Sequence, residues 1–268
     1  IRAALEATFE ELDDLVAAGD GRDWPRGAAD ILTKTLLGDD PVAIIEELKG
    51  AISAGAEITQ LTQTLAYAAS LRIAQFHTKN EQGDWIAVLH TYTAANALHQ
   101  CAKRAPSTEL LRGVFHGAIP VYFDRWFNKP AARLPENRRD TATLPEDADT
   151  LLSDLLALCD AQGEVDAAAM VAYRYLSLGH PRERLLQALG KSLLREDGEI
   201  HSYQMLEAAF TQASELDEDR ARIALVAATR YLTAHAPTLR AIGQTATLAL
   251  RLHRGEQLSA DDPDEDVA

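Results

Sequence analysis

One short phrase occurs twice in this chain, and it carries the side chains best suited to chemistry. His90 and Tyr92 recur as His201 and Tyr203, 111 residues later, each pair within a His-[Thr/Ser]-Tyr phrase. Both copies lie in apolar stretches that predict buried helices, where an imidazole is costly unless another group satisfies it. A repeated buried histidine therefore predicts a site shared by two related helices.

The side chains around this phrase suit either metal binding or acid–base chemistry. Imidazole and carboxylate ligands are typical of iron, manganese and zinc sites, and imidazole also serves as a general acid or base. We expect His90 and His201 to face each other, as ligands or acid–base groups. The further metal ligands that we expect are His77, His116 and Glu207, while Tyr92 and Tyr203 would donate hydrogen bonds at the catalytic centre. The alternative is that each histidine donates to a neighbouring helix and only fixes the packing.

Helical geometry limits which histidines can share a site. His90 and His99 are nine residues apart, and a helix rotates by about 100° per residue, so the two point to opposite faces. Hairpin turns bring His77 towards the height of His90 and bring His116 towards that of His99. The predicted site therefore excludes His99.

The elements that must position these residues are nearly all helices. Alanine and leucine dominate the composition, apolar residues recur at helical spacing, and the breaks contain glycine, proline and capping residues. The pattern predicts an all-α fold of about twelve helices, over residues 2–18, 26–37, 41–53, 57–79, 85–104, 107–127, 146–161, 164–178, 181–195, 199–215, 218–235 and 237–253.

The helices fall into two similar sets. A five-helix unit over residues 30–127 resembles a second one over 151–236, which predicts two pseudo-repeated halves in one compact domain, 1–255. A proline-rich linker, 128–145, separates them. Residues 256–268 hold six acids and no base, which is typical of a disordered, acidic tail.

The composition excludes several classes of partner. The net charge of −15 and the lack of a basic stripe argue against nucleic-acid binding. No apolar run is long enough for a membrane span, and no phosphate-binding glycine motif indicates a nucleotide. Two cysteines in apolar helical stretches predict buried thiols in a reducing, cytoplasmic setting.

Residues 85–100, 110–117 and 194–208 resemble a bacterial all-helical family that is associated with Rieske-type iron–sulfur proteins and, more distantly, with questin-oxidase-like proteins. The resemblance covers about residues 30–250. It implies a redox setting, a helical domain that binds a ligand or metal, and a redox protein as partner. The chain has no Cys-x-His boxes, so it departs from the Rieske pattern and predicts no [2Fe–2S] cluster of its own.

Two functional hypotheses follow. The first is a metal-dependent enzyme, of oxidoreductase type, with a buried histidine-rich pocket between the halves that acts on a small organic molecule. The second is a non-catalytic helical module that binds a small ligand or a protein, with structural histidines. A homo-oligomer is compatible with both.

Overall fold

The computed structural model describes residues 1–256 and confirms the all-α fold. Thirteen α-helices are present in this part of the chain: α1 Arg2–Glu10, α2 Leu12–Gly19, α3 Ala28–Leu36, α4 Pro41–Ser53, α5 Ile58–Ala74, α6 Gln82–Arg104, α7 Thr108–Phe123, α8 Ala148–Asp160, α9 Val165–Ser177, α10 Arg182–Arg195, α11 Ile200–Glu215, α12 Glu218–Ala234 and α13 Ala241–His253.

The count exceeds the predicted twelve because the first predicted helix breaks at Glu11. The Thr8 hydroxyl donates to the carbonyl of Ala4 at 2.8 Å. The backbone N–H of Glu11 then bonds the carbonyl of Thr8, three residues back, at 3.2 Å. Hydroxyl bonding of this kind bends helices, and here it divides residues 2–19 into α1 and α2.

Four helix starts follow directly from a capping side chain next to the helix. Asp40, Ser107, Asp147 and Asp217 each precede a helix and accept a hydrogen bond from a backbone N–H in its first turn. Such a cap satisfies donors that have no partner inside the helix, and each contributes about 1 kcal/mol. These positions are readable from the sequence because cap and helix are neighbours in the chain.

Helix α5 ends at Ala74, five residues before the predicted end at 79. Distant groups take the carbonyls that a longer helix would have used. The carbonyl of Gln75 accepts from Ala132 N at 2.7 Å, and that of Phe76 accepts from Arg230 Nη2 at 2.6 Å. His77 therefore lies in the loop after α5. The prediction that it lies in the last turn of that helix is wrong.

Helices α5 and α12 form the centre of the core. Most residues of both are buried, and α12 packs against α5 on one side and α9 on the other. One hydrophobic cluster runs from α1 to α12, and a second lies among α8 to α12. The core thus joins the two predicted halves. Each half contains five helices, α3–α7 and α8–α12, while the duplication itself stays a prediction.

The linker packs onto the helices and is partly ordered as short 3₁₀ helices, Pro135–Asn137 and Arg139–Thr143. The Thr141 hydroxyl donates to the carbonyl of Pro135 at 2.7 Å, which holds these two turns together. The predicted acidic tail lies outside the described residues except for Glu256.

Helix α13 projects from the rest, and none of its residues is buried. Asp197 caps it by accepting from the N–H groups of Ala241 and Ile242, both at 2.8 Å. Between Ile1 and Glu256 we find no helix with the length and apolar character that a membrane span requires. Cys159 is buried as expected, but Cys101 is exposed.

An aromatic cleft as the candidate functional site

The structure brings His90 and His201 together. Their ring centroids are 5.2 Å apart and the rings are nearly perpendicular, at 82°. The expectation that both are buried is wrong, because His90 is exposed and His201 is only partly buried. The buried stripe of α6 contains Leu89 and Tyr92, and His90 points away from it.

Helices α6 and α11 lie side by side in parallel, and a second pair of residues 111 apart also touches. Asn96 Nδ2 donates to Glu207 Oε2 at 3.5 Å, and Gln212 Nε2 donates to Asn96 Oδ1 at 2.9 Å. Glu207, a predicted metal ligand, is exposed and also accepts from Thr211 at 3.1 Å. Its polar partners are therefore Asn96 and Thr211.

The other two predicted metal ligands lie at different places. His77 is in the loop after α5, where its Nδ1 accepts from Lys79 N at 3.1 Å. His116 is exposed on α7 and its ring packs against Phe9, with centroids 5.2 Å apart. Within the described part of the chain, no three His, Cys, Asp or Glu side chains are grouped so that they could hold a metal ion.

The two predicted catalytic tyrosines have different surroundings. Tyr92 is fully buried, and its hydroxyl has no hydrogen-bond partner among the described residues. Burial raises the pKa of Tyr92 far above its ordinary value, and the nearby charge of Glu207 raises it further. Tyr203 is about half exposed and lies beside Gly198, at the start of α11.

His201 also lines a cleft of about 460 Å³, which we call the aromatic cleft. Its walls come from both predicted halves: the loop before α6 and the first turns of α6, the start of α9, the α10–α11 loop, and the end of α12. Trp85, Tyr231 and His235 form one wall. Tyr231 and His235 stack with centroids 4.2 Å apart, and Trp85 meets each of them edge-on at 6.2 Å.

His235 is the one ionisable ring nitrogen base of this wall, and no motif in the sequence singles it out. Its Nδ1 lies 2.7 Å from the carbonyl oxygen of Tyr231, which can only accept, so Nδ1 carries the proton. Burial lowers the pKa of His235, against the raising effects of this hydrogen bond and of Glu199, so the ring is neutral at pH 7. Its Nε2 is then a bare acceptor, shielded from solvent, with no partner in residues 1–256.

His201 adds a second unsatisfied nitrogen to the same cleft. Its Nδ1 is shielded from solvent and makes no hydrogen bond with any described residue. The nearest carboxylate oxygen, Glu199 Oε2, is 3.6 Å away. A buried polar atom without a partner costs about 1–3 kcal/mol, so two of them at one cleft indicate a place where another molecule can bind.

A network of hydrogen bonds lies at the rim of the aromatic cleft. Thr238 N and Oγ1 donate to Glu196 Oε2 at 2.7 and 2.9 Å, and the N–H of Asp197 donates to Thr238 Oγ1 at 2.8 Å. Arg240 donates to Glu196 Oε1 at 2.7 Å and also pairs with Asp160. These bonds join the segment after α12 to the α10–α11 loop.

A second polar network, also absent from the sequence analysis, joins α5, α6 and α11. His99 Nδ1 lies 2.9 Å from Thr62 Oγ1, and its Nε2 lies 2.8 Å from Glu215 Oε2. Gln100 and Lys103 donate to the same carboxylate at 3.2 and 2.5 Å. Thr62 is fully buried, so no substrate reaches its hydroxyl, and the network serves packing.

No protein-family model matches this chain, and neither the curated proteins nor the solved structures include a match. The resemblance to the Rieske-associated and questin-oxidase-like families therefore stays a prediction. The fold and the cleft define the class: an all-α protein with an aromatic, histidine-containing cleft.

Proposed function

We propose that this protein binds a small aromatic molecule with a hydroxyl or N–H group in the aromatic cleft. The observation that supports this most is the unpartnered Nε2 of His235, in a wall otherwise made of aromatic rings. A neutral imidazole nitrogen accepts a hydrogen bond, so the group that satisfies it must be a donor. A volume of 460 Å³ falls within the usual range for small-molecule sites.

The aromatic wall also favours a particular chemistry for the body of the ligand. Rings of Trp85 and Tyr231 favour an aromatic body through edge-on or offset contacts. Glu199 and His201 line the same cleft and add polar groups to it. These groups can orient a ligand, and the proposal is confined to binding.

A matched pair of probes tests the proposal. We expect p-cresol to bind more tightly than toluene, by about fivefold, because only p-cresol donates a hydrogen bond, worth about 1 kcal/mol. Titration of ¹⁵N-labelled protein, followed by NMR, should shift the Trp85 indole signal and the His235 Nε2 resonance. Because His235 Nε2 is buried from solvent, the residues at the rim must move slightly before the donor group of the ligand can reach it.

The variant His235→Phe separates the hydrogen bond from the aromatic surface. It keeps a ring to stack on Tyr231 and removes the acceptor, so it should reduce the preference for p-cresol to less than about twofold. His253→Phe, at an exposed position at the end of α13, is the matched control and should keep the preference. Equal binding of the two probes by the unaltered protein, or no response from Trp85, would contradict the proposal.

A metal-dependent activity is the second proposal, and one observation favours it. The rings of His90 and His201 are 5.2 Å apart, close enough for small rotations to aim two nitrogens at one ion. Glu199 Oε2 lies 3.6 Å from His201 Nδ1 and would be the carboxylate ligand, but these three side chains are not grouped for metal binding as they stand in the described structure, so the proposal requires those rotations. An oxidoreductase reaction on a small organic molecule, with iron, manganese or zinc, would depend on such a centre.

Metal binding is tested without activity. The second proposal predicts that Zn²⁺ binds with one-to-one stoichiometry in calorimetry, and that His90→Ala and His201→Ala each abolish the heat while circular dichroism is unchanged. His253→Ala controls for loss of any exposed imidazole. Unchanged Zn²⁺ binding in both test variants would overturn this proposal and leave the aromatic-ligand proposal standing.

A further inference from the structure

A second cleft, beside the linker, has the opposite electrostatic character to the chain as a whole. It has a volume of about 680 Å³ and we call it the arginine cleft. Its charged lining consists of three cations, Arg133, Arg138 and Arg139, and two anions, Asp140 and Asp166. In a chain of net charge −15, a cleft with an excess of positive charge is a local exception.

The floor of the arginine cleft has more positive than negative charge. Asp166 accepts from Arg138 at 2.6 Å through one carboxylate oxygen and from Arg230 at 2.6 Å through the other. The side chain of Arg230 is only 1% exposed and that of Arg138 is 25% exposed. Two guanidinium groups thus share a single carboxylate, and one positive charge is left without a counter-charge behind the cleft.

Two of the lining arginines, Arg133 and Arg139, carry donors without an ion-pair partner among the described residues, although the exposed carboxylate of Asp140 lines the same cleft. Arg133 and Arg139 are exposed, and neither forms an ion pair with another described residue. His77 lines the same cleft, and because its Nδ1 accepts from Lys79 N, the N–H donor of its ring is Nε2. Guanidinium forks and an N–H donor around one concavity are the groups that recognise oxyanions.

We propose that the arginine cleft binds a small oxyanion, a phosphate or carboxylate group carried by a small molecule. The guanidinium groups of Arg133 and Arg139 would bind its oxygens, and the excess charge of the Arg138–Asp166–Arg230 floor would attract it. The site is separate from the wall of aromatic rings and does not rest on the function proposed above.

Calorimetry with two simple probes tests this inference. Inorganic phosphate and citrate are titrated separately into the full chain at low ionic strength, with sodium chloride of equal ionic strength as the reference. Binding of phosphate alone indicates a phosphate ligand, and binding of citrate alone or of both indicates carboxylate recognition. No binding of either above the chloride reference would overturn the inference.

The double variant Arg133→Ala/Arg139→Ala should weaken binding of the responding probe by at least about tenfold. Both side chains are exposed, so the fold should be retained, which circular dichroism checks. Lys34→Ala/Arg104→Ala removes two exposed cations elsewhere and should leave the affinity within about twofold. An equal loss in the two double variants would reduce the effect to net charge and overturn the site. Binding of p-cresol should be the same in both, so this test and that of the aromatic cleft can fail separately.

Discussion

Asp166→Asn should lower the free energy of unfolding by about 3 kcal/mol, among the largest effects that we expect from one substitution. Asp166 is the counter-charge of Arg230, which is the largest fully buried side chain of the described structure. Removing one partner of a buried ion pair leaves the other charge uncompensated in a low-dielectric interior. The other Arg230 contact, to the carbonyl of Phe76, does not neutralise that charge.

The expected value is at the lower end of the range for buried pairs because the Asp166 side chain is 38% exposed, and water partly screens the new imbalance. Burial raises the pKa of Asp166, but the hydrogen bonds and charges of Arg230 and Arg138 lower it by more. Its stabilising contribution is therefore present above the ordinary pKa of an aspartate and is lost as the pH falls through the lower folded-state value.

Urea unfolding at neutral pH measures this difference. Asp30→Asn is the matched control, since Asp30 also pairs with an arginine, Arg220, but is 63% exposed. Exposed ion pairs contribute about 0–1 kcal/mol, so the control variant should lose less than about 1 kcal/mol. Equal losses in the two variants would show that burial of Arg230 adds nothing to the pair.

The extent to which the fold follows from the sequence depends on how local the signals are. Helices with a capping side chain next to an apolar stripe, such as those after Ser107 and Asp217, have predicted starts within a residue of the observed ones. The predicted end of α5 fails because Ala132 and Arg230, 57 and 154 residues away from their acceptors, take the carbonyls of Gln75 and Phe76. No window of sequence around α5 contains those partners.

The candidate site follows from the sequence only in part. The repeated phrase predicts that His90 and His201 meet, and their rings do. The contact also requires that α6 and α11 pack side by side in parallel and in register, which the structure shows and the spacing alone does not determine. The burial of His90 is mispredicted, because a stripe of apolar residues defines the buried face only to within about one position.

His235 has a weaker signal that is visible after the fact. It follows Tyr231 by four residues, the spacing that stacks two rings on one helix face, and the rings do stack. The surroundings that leave His235 Nε2 without a partner include Trp85 and the α10–α11 loop. These residues are distant from His235 in sequence. The arginine cleft is also not predictable from local sequence. Nothing near Arg138 or Arg230 in the chain indicates that both bind the carboxylate of Asp166.

The variant Asp124→Asn should become more stable relative to the unaltered protein as the pH increases. Asp124 is 5% exposed, and its Oδ2 has no partner in the described structure. Burial raises the pKa of Asp124 to about 7, from an ordinary value of 3.8, and the lowering effects of Thr91 and Arg72 do not offset it. The carboxyl group is thus largely protonated in the folded protein at pH 5 and largely ionised at pH 8.

The sign follows from proton linkage. A carboxyl with a raised folded-state pKa contributes its full stability below the unfolded-state pKa and loses it as the pH rises towards 7. Between pH 5 and pH 7 the folded state binds about one proton more at this position than the unfolded state does. At about 1.4 kcal/mol per pH unit, the unaltered protein should lose about 2–3 kcal/mol relative to Asp124→Asn, whose amide does not titrate.

Only the difference between the two proteins isolates Asp124, because two histidines titrate in the same pH range with the opposite effect. Burial lowers the pKa of His99 and of His235, so their contributions to stability grow as the pH rises through the ordinary histidine value of 6.5. Urea unfolding of both proteins at several pH values from 5 to 8 gives the difference curve. Asp14→Asn, at an exposed position, controls for the loss of one negative charge. A curve for Asp124→Asn that is flat between pH 5 and pH 8 would mean that Asp124 is already ionised at pH 5, with Arg72 compensating its charge despite their burial.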